Sequence, residues 1–233
     1  MKGYFSIGAN ELKLLILFNV VTLLVAVHYL LLTFDTPMFA TTLFYIVMWI
    51  VSIVMLIWIR MYYGEVKWLD YDEDPTRGHA LTWLGGLAGV VAAASIVPRI
   101  VSQVAFPTAI YVPSPKRMLA QGAVFDLWSL ASDVLFNICL VANAEETMKV
   151  AAHTALYNST KNELLSIILP VAVWSFSHGY LAYTGPLQLP LIAAAFAAGI
   201  VLFLVLKYTR SLLAAILVHG VYNALTLIVA LFA

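Results

Sequence analysis

Long apolar stretches separated by short polar connections run along the whole chain. About seven of these stretches reach the length of roughly 20 residues that an α-helix needs to cross the hydrocarbon core of a bilayer. They lie near residues 12–33, 40–61, 79–98, 121–145 (to 157 at its longest), 163–184, 189–207 and 211–232. The pattern therefore predicts an all-α fold, a polytopic transmembrane bundle of about seven helices, in which residues 1–233 form a single multi-pass membrane domain.

The composition agrees with this prediction. Among 233 residues, 63% are hydrophobic and only 10% are charged, whereas about 25% of the residues in a soluble domain are charged. The 12 basic and 12 acidic side chains give zero formal net charge, so the chain has no basic excess for binding nucleic acid. The single cysteine excludes an intramolecular disulfide. We expect a multi-pass integral protein of the cell membrane, surrounded by the lipid bilayer.

Basic residues in the connections predict the orientation, because cytoplasmic loops carry an excess of Lys and Arg. With seven spans, the side of the N-terminus would hold Lys2, Lys13, Arg60, Lys67, Arg77, Lys161, Lys207 and Arg210. The other side would hold Arg99, Lys116 and Arg117. We therefore predict a cytoplasmic N-terminus and an external C-terminus.

Two connections are longer than the others. Residues 64–78 are acidic and are interpreted as a solvated loop. Residues 98–118 contain four prolines, which argue against a regular helix in that range: Pro98, Pro107, Pro113 and Pro115. Within the third span, Gly85 and Gly89 form a GxxxG pair that would allow close approach of another helix inside the bundle.

Ionisable residues within the spans are the strongest functional signal. A charge at the bilayer centre costs between about 2.5 and 17 kcal/mol, so such residues usually face the bundle interior and mark function. The candidates are Asp126, Asp133, Glu145, Glu146, Lys149, His153, His178, His219 and, less deep, His28. We interpret His28 and His153 as core residues.

Spacing along the chain predicts that Glu145 and His178 lie at the same depth. The residue midway between them falls in "NSTKN", residues 158–162, the one strong turn signal in this region. An antiparallel helical hairpin around that turn would place the two side chains level with each other. In the last span, His219 and Asn223 are four residues apart and therefore share one helix face.

These groups suit hydrolytic chemistry. A buried glutamate beside a second carboxylate can act as a general base toward water. The histidines could orient that water or donate a proton to a leaving group, and Asn223 could donate a hydrogen bond to an oxyanion. Two other interpretations stay open: Glu145 and Lys149 form an i,i+4 pair that could simply neutralise itself, and Asp126 with Asp133 could be a structural seam or a proton path. A proton-coupled transporter is therefore an alternative.

The order of these residues resembles the CPBP superfamily of intramembrane proteases, which includes the type II CAAX prenyl endopeptidases. Its motifs EExxxR, FxxxH and HxxxN/D are matched by Glu145-Glu146, by His178, and by His219 with Asn223. The resemblance covers residues 120–233, the motif-bearing core. It implies an intramembrane endopeptidase in which Glu145 activates water, Glu146 supports it, and the two histidines and Asn223 complete the site.

Two positions depart from these motifs. Val150 occupies the arginine position, and Lys149 instead gives EExxK, which is similar to the PrsW-type branch of the superfamily. Trp174 stands where the second motif has phenylalanine. The departures leave a non-catalytic membrane scaffold or immunity protein of the same superfamily as a further alternative.

The resemblance also has implications for the cofactor and the partners of the protein. A metal-free site is favoured because Asn223 suits an oxyanion donor better than a ligand, while a zinc ion would take Glu145, His178 and His219. The expected partner is a membrane-associated protein substrate. It is either a membrane-tethered protein, such as a prenylated protein of the CAAX type, or a transmembrane protein. No nucleic-acid partner is expected.

Overall fold

The chain folds into helices joined by short turns. The structure, a computed structural model, describes residues 9–34, 36, 38–63, 79–105, 127–182 and 188–232. The helices are α1 Ala9–Thr33, α2 Met38–Tyr63, α3 His79–Ala105, α4 Leu127–Leu135, a π-helical segment Phe136–Val141, α5 Ala142–Thr160, α6 Glu163–Ala182, α7 Gln188–Thr209 and α8 Leu212–Phe232. No strand occurs among the described residues, which confirms the predicted all-α class.

Five helices are long and apolar enough to cross a membrane. These stretches are Leu14–Thr33, Met38–Ile59, Leu81–Ala105, Gln188–Thr209 and Leu212–Val229. Large apolar side chains on their outer faces are exposed, as expected where lipid replaces water as the surrounding medium. The protein is therefore a multi-pass integral membrane protein. The other two predicted spans correspond to α4–α5, which carries the charged residues, and to α6, whose apolar stretch is shorter.

One predicted connection is wrong in its first part. Helix α3 does not end at Pro98 but continues through it to Ala105. A proline inside a helix removes one backbone hydrogen bond, but neighbouring helices can compensate for this loss in a membrane bundle, and Pro98 is buried. Residues 106–118, the acidic loop 64–78 and Asp126 lie outside the described residues.

Close packing between α3 and α7 depends on glycines. A methyl group built on Gly86 would lie 2.3 Å from Cγ2 of Val205, and one on Gly89 would lie 2.9 Å from Cγ1 of Val201. A methyl group on Gly85 would meet nothing within 4 Å. The close approach predicted for the GxxxG pair is therefore made by Gly89 together with Gly86, while Gly85 faces away from α7.

A tight turn produces the hairpin that carries half of the site. Helix α5 ends at Thr160, and its C-cap residue Lys161 has a left-handed φ of 56°. Helix α6 begins at Glu163. Oδ1 of Asn162 accepts the backbone N–H of Leu165 at 3.0 Å and caps α6. At the same end of the bundle, Nζ of Lys207 donates to Glu163 at 3.0 Å. The predicted hairpin around residues 158–162 is confirmed.

Helices α4 and α5 form one continuous rod across the π-helical segment. At 1.5 Å per residue, residues 127–160 span about 51 Å, which is longer than a hydrocarbon core of about 30 Å. A helix of this length must tilt, break or protrude from the bilayer. The rod does not break, but its hydrogen-bond register changes at residues 136–141.

The adjacent glycines of α3 give a matched test of helix packing. Gly86→Ala should lower the free energy of unfolding by about 1–3 kcal/mol, because its methyl group collides with Val205. Gly85→Ala should leave it unchanged or raise it by up to about 1 kcal/mol, because alanine favours the helix and has open space. Thermal unfolding in detergent measures both. Equal effects of the two variants would contradict the packing of α3 on α7.

Candidate active site

The π-helical segment places the start of α5 against α1. The N–H of Ala142 bonds to the carbonyl of Asn137, five residues back. A change of register leaves carbonyl groups to be satisfied from outside the helix, and the hydroxyl of Thr22 donates to the carbonyl of Cys139 at 2.9 Å. Such segments occur frequently at functional sites.

A buried amide network fixes the rotation of α5. Nδ2 of Asn143 donates to Oδ1 of Asn19 at 3.2 Å and to Oγ1 of Thr22 at 3.1 Å. Nε1 of Trp49 on α2 donates to the same Asn19 oxygen at 3.0 Å. Buried amides have strict hydrogen-bond requirements. Helices α1 and α2 therefore hold α5 in one orientation, two residues before Glu145.

Glu146 is compensated by two nitrogen-containing side chains. Nζ of Lys149 lies 2.6 Å from its Oε1, and Nδ1 of His219 on α8 lies 2.7 Å from the same oxygen. Lys149 also lies over the Trp174 ring, 4.0 Å from the centroid.

The interpretation that Lys149 neutralises Glu145 is wrong. Adjacent helical residues point about 100° apart, and Lys149 pairs with Glu146.

Glu145 lies between three other helices and is 3% exposed. Its Oε1 accepts the hydroxyl of Tyr45 from α2 at 3.1 Å. Its Oε2 accepts the indole N–H of Trp174 from α6 at 3.0 Å. Nε2 of His178 lies 3.5 Å from Oε1, and Nε2 of His219 lies 3.6 Å from Oε2. The structure thus brings Glu145, Glu146, His178 and His219 together.

Both histidines are oriented by their Nδ1 atoms. Nδ1 of His178 lies 3.0 Å from the carbonyl oxygen of Trp174, and Nδ1 of His219 lies against Glu146. Since both partners are acceptors, each Nδ1 carries a proton and donates it. Each Nε2 then faces a different oxygen of Glu145. The His178 side chain is 39% exposed, against 6% for His219, so the site is open on the side of His178.

Gly220 allows α8 to bring His219 into the site. A methyl group on Gly220 would lie 2.7 Å from the Cα of Ile138 in the π-helical segment. Because that neighbour is backbone, α8 could not approach so closely with any larger residue here. Asn223 lies one turn beyond His219 and is half-buried. Its carbonyl accepts the hydroxyl of Thr226, and its side chain is not part of the network around the two glutamates.

The remaining predicted polar residues lie elsewhere. His153 is fully buried, with its ring 5.5 Å from Phe203, as expected of a core residue. Asp133 accepts the hydroxyl of Tyr29, and Nε2 of His28 lies 3.4 Å from the Ser132 hydroxyl. These contacts form a polar seam between α1 and α4.

Two residues that contact Glu145 were not predicted as members of the site. Tyr45 lies within an apolar span, Met38–Ile59, where nothing in the local pattern distinguishes it. Trp174 was identified only as a departure from a motif, yet that departure supplies an indole N–H where phenylalanine has no donor.

The fit to zinc depends on Glu145, His178 and His219. The two imidazoles with Nδ1 bound to acceptors resemble metal ligands in their orientation. In the described part of the chain, however, no group of three or more His, Cys, Asp or Glu side chains is positioned to hold a metal ion. The arrangement as it stands does not fit the ion.

The region that holds these residues matches a known protein family. Residues 126–225 match the family model described as Type II CAAX prenyl endopeptidase Rce1-like. This range includes both glutamates, both histidines and Asn223, whereas α1, α2 and α3 lie outside it. No curated protein and no solved structure matches the chain significantly.

Two lysines provide a matched test of the buried charges. Lys149→Met should lower the free energy of unfolding by about 3–5 kcal/mol, because it leaves a buried carboxylate without its cation. Lys207→Met breaks the exposed pair with Glu163 and should cost at most about 1 kcal/mol. Thermal unfolding of both variants measures the two changes in stability. A Lys149→Met protein as stable as the Lys207→Met protein would contradict the pairing with Glu146.

Proposed function

We propose that this chain, which belongs to the CPBP superfamily of intramembrane proteases, hydrolyses a peptide bond of a membrane-associated protein with water activated by Glu145. The observation that supports this most directly is the convergence of the Glu145 carboxylate with Nε2 of His178 and His219, which come from two other helices. A carboxylate and two imidazoles around one point are the groups that general acid–base hydrolysis requires.

In the proposed reaction, Glu145 accepts a proton from water as the water oxygen attacks the scissile carbonyl carbon. The new C–O bond produces a tetrahedral oxyanion. Collapse of this intermediate breaks the C–N bond, and the proton held by Glu145 passes to the departing amine. His178, on the open side of the site, would orient the attacking water through Nε2.

The negative charge that develops on the substrate needs preorganised donors. His219 is suited to this role because Glu146 accepts its Nδ1–H at 2.7 Å and would stabilise a protonated ring that donates through Nε2. Lys149 in turn compensates the charge of Glu146. Asn223 lies one turn away on the same face of α8 and would supply an amide donor once substrate is bound.

The substrate class follows from the surroundings of the site. Five apolar helices hold the protein in the bilayer, which supports a substrate that is tethered to the membrane or passes through it. The family match favours a CAAX-type prenylated protein. A transmembrane protein would reach the same site through the side on which His178 is exposed.

The two departures from the family motifs favour an enzyme over a non-catalytic scaffold. Lys149 compensates Glu146 from a position one residue before the motif arginine. Trp174 retains an aromatic ring and adds a donor to Glu145. Each departure therefore contributes a contact to one of the two glutamates. In a protein that had lost its catalytic function, we would expect the glutamates to lack such contacts.

Substitution of the proposed base tests the function. Purified protein in lipid nanodiscs would be given a fluorogenic prenylated CAAX peptide and a transmembrane peptide. Glu145→Gln should lower kcat by about 10²- to 10⁴-fold, since a general base contributes that much. Glu163→Gln, at the exposed start of α6, should retain wild-type kcat. Undiminished cleavage by Glu145→Gln would remove the proposal, and absence of cleavage by the wild-type protein would favour a scaffold.

Metal independence is tested separately. We expect activity to persist after 1,10-phenanthroline and dialysis, because Glu145 and the described histidines are not positioned as a metal site and Asn223 suits an oxyanion donor better than a ligand. Zinc content by mass spectrometry should be far below one ion per chain. Stoichiometric zinc, with activity lost on chelation and restored by zinc, would contradict a metal-free mechanism.

A further inference from the structure

Two hydrogen-bond donors hold the carboxylate of Glu145, one on each oxygen. The hydroxyl of Tyr45 donates to Oε1 at 3.1 Å, and the indole N–H of Trp174 donates to Oε2 at 3.0 Å. The donors come from different helices, α2 and α6, on either side of α5. A carboxylate held at both oxygens cannot rotate about its terminal bond without losing one of these bonds.

Tyr45 belongs to a row of donors along one face of α2. Tyr45, Trp49 and Ser52 occupy positions i, i+4 and i+7, which lie on the same face of a helix. The Trp49 indole donates to Asn19 at 3.0 Å, and the Ser52 hydroxyl lies 3.4 Å from the carbonyl of Ala144. The ring of Tyr45 also packs edge-on against Phe136, with centroids 6.0 Å apart. This row fixes Tyr45 against α5.

Trp174 contacts Lys149 and both histidines of the site as well as Glu145. Its ring lies under Lys149 at 4.0 Å, and its centroid is 4.4 Å from that of His178 and 5.8 Å from that of His219. On the other side, the same ring packs on α7, where a methyl group at Gly199 would lie 3.1 Å from Cζ3 of Trp174. The indole is thus held in place and aims its N–H at Glu145.

We infer that Tyr45 and Trp174 are positioning residues that together fix the Glu145 carboxylate for the reaction, so that α2, which lies outside the matched family region, is part of the catalytic apparatus. This inference rests on the proposed function. Each carboxylate oxygen can accept two hydrogen bonds. One is used by Tyr45 or Trp174, and the other is left for water on the side of the histidines. An error of about 1 Å in such a position can cost about 10²-fold in rate.

The test removes each hydrogen-bond donor while retaining an aromatic ring at the position. Tyr45→Phe and Trp174→Phe should each lower kcat by about 10- to 100-fold with KM changed by less than about twofold. The matched control is Tyr29→Phe, which deletes a hydroxyl that donates to Asp133. It should lower the unfolding temperature by a similar amount but keep kcat within about twofold. Equal kcat in all three variants would overturn the inference.

A second measurement does not require proteolysis. In a double-mutant cycle on the unfolding temperature, Tyr45→Phe should be non-additive with Glu145→Met, whereas Tyr29→Phe should be additive with it. Strict additivity in both cycles would overturn the positioning role of Tyr45. If the wild-type protein cleaves no substrate, the proposed function fails, and this cycle still decides whether Tyr45 holds Glu145.

Discussion

Two adjacent carboxylates inside an apolar bundle impose the constraint on which the rest of this structure depends. Removing a carboxylate from water costs several kcal/mol unless charges or donors replace the solvent. Successive residues on a helix point about 100° apart, so Glu145 and Glu146 need separate sets of partners. Glu146 has an ammonium group and an imidazole, while Glu145 has a phenol and an indole. Satisfying both carboxylates requires α2, α6 and α8 to pack around α5.

The two glutamates are compensated in different ways, and this difference suits them to different tasks. Glu146 forms an ion pair with Lys149, so its charge serves to orient and stabilise His219. Glu145 accepts only neutral hydrogen bonds and faces two imidazole nitrogens at 3.5 and 3.6 Å. Among the described residues, no lysine or arginine forms an ion pair with Glu145. A single pair of residues can in this way supply both a base and the support for an acid.

Local signals in the sequence were sufficient for the helical membrane fold and for one side of the site. The turn before Glu163 sets the register of a two-helix hairpin, and register alone brings Glu145 level with His178. The sequence identifies His219 as an ionisable residue in an apolar span, but spacing alone does not place it beside Glu145. That placement depends on Gly220 meeting the backbone of Ile138, a contact between distant parts of the chain. Tyr45 was missed for a related reason, since a hydroxyl in an apolar span has no periodicity that identifies its partner.

The π-helical segment determines which way the two ends of its rod face. On an uninterrupted α-helix, the 12 positions from Asp133 to Glu145 would leave their side chains about 120° apart in azimuth. A π turn absorbs one surplus residue, which reduces the difference to about 20°. Tyrosines of the first two helices can thus donate a hydrogen bond to each carboxylate, Tyr29 to Asp133 and Tyr45 to Glu145. Deleting one residue from this segment would therefore convert it to a regular α-helix and leave the relative orientation of α4 and α5 nearly unchanged, because 11 positions again place the two carboxylates about 20° apart.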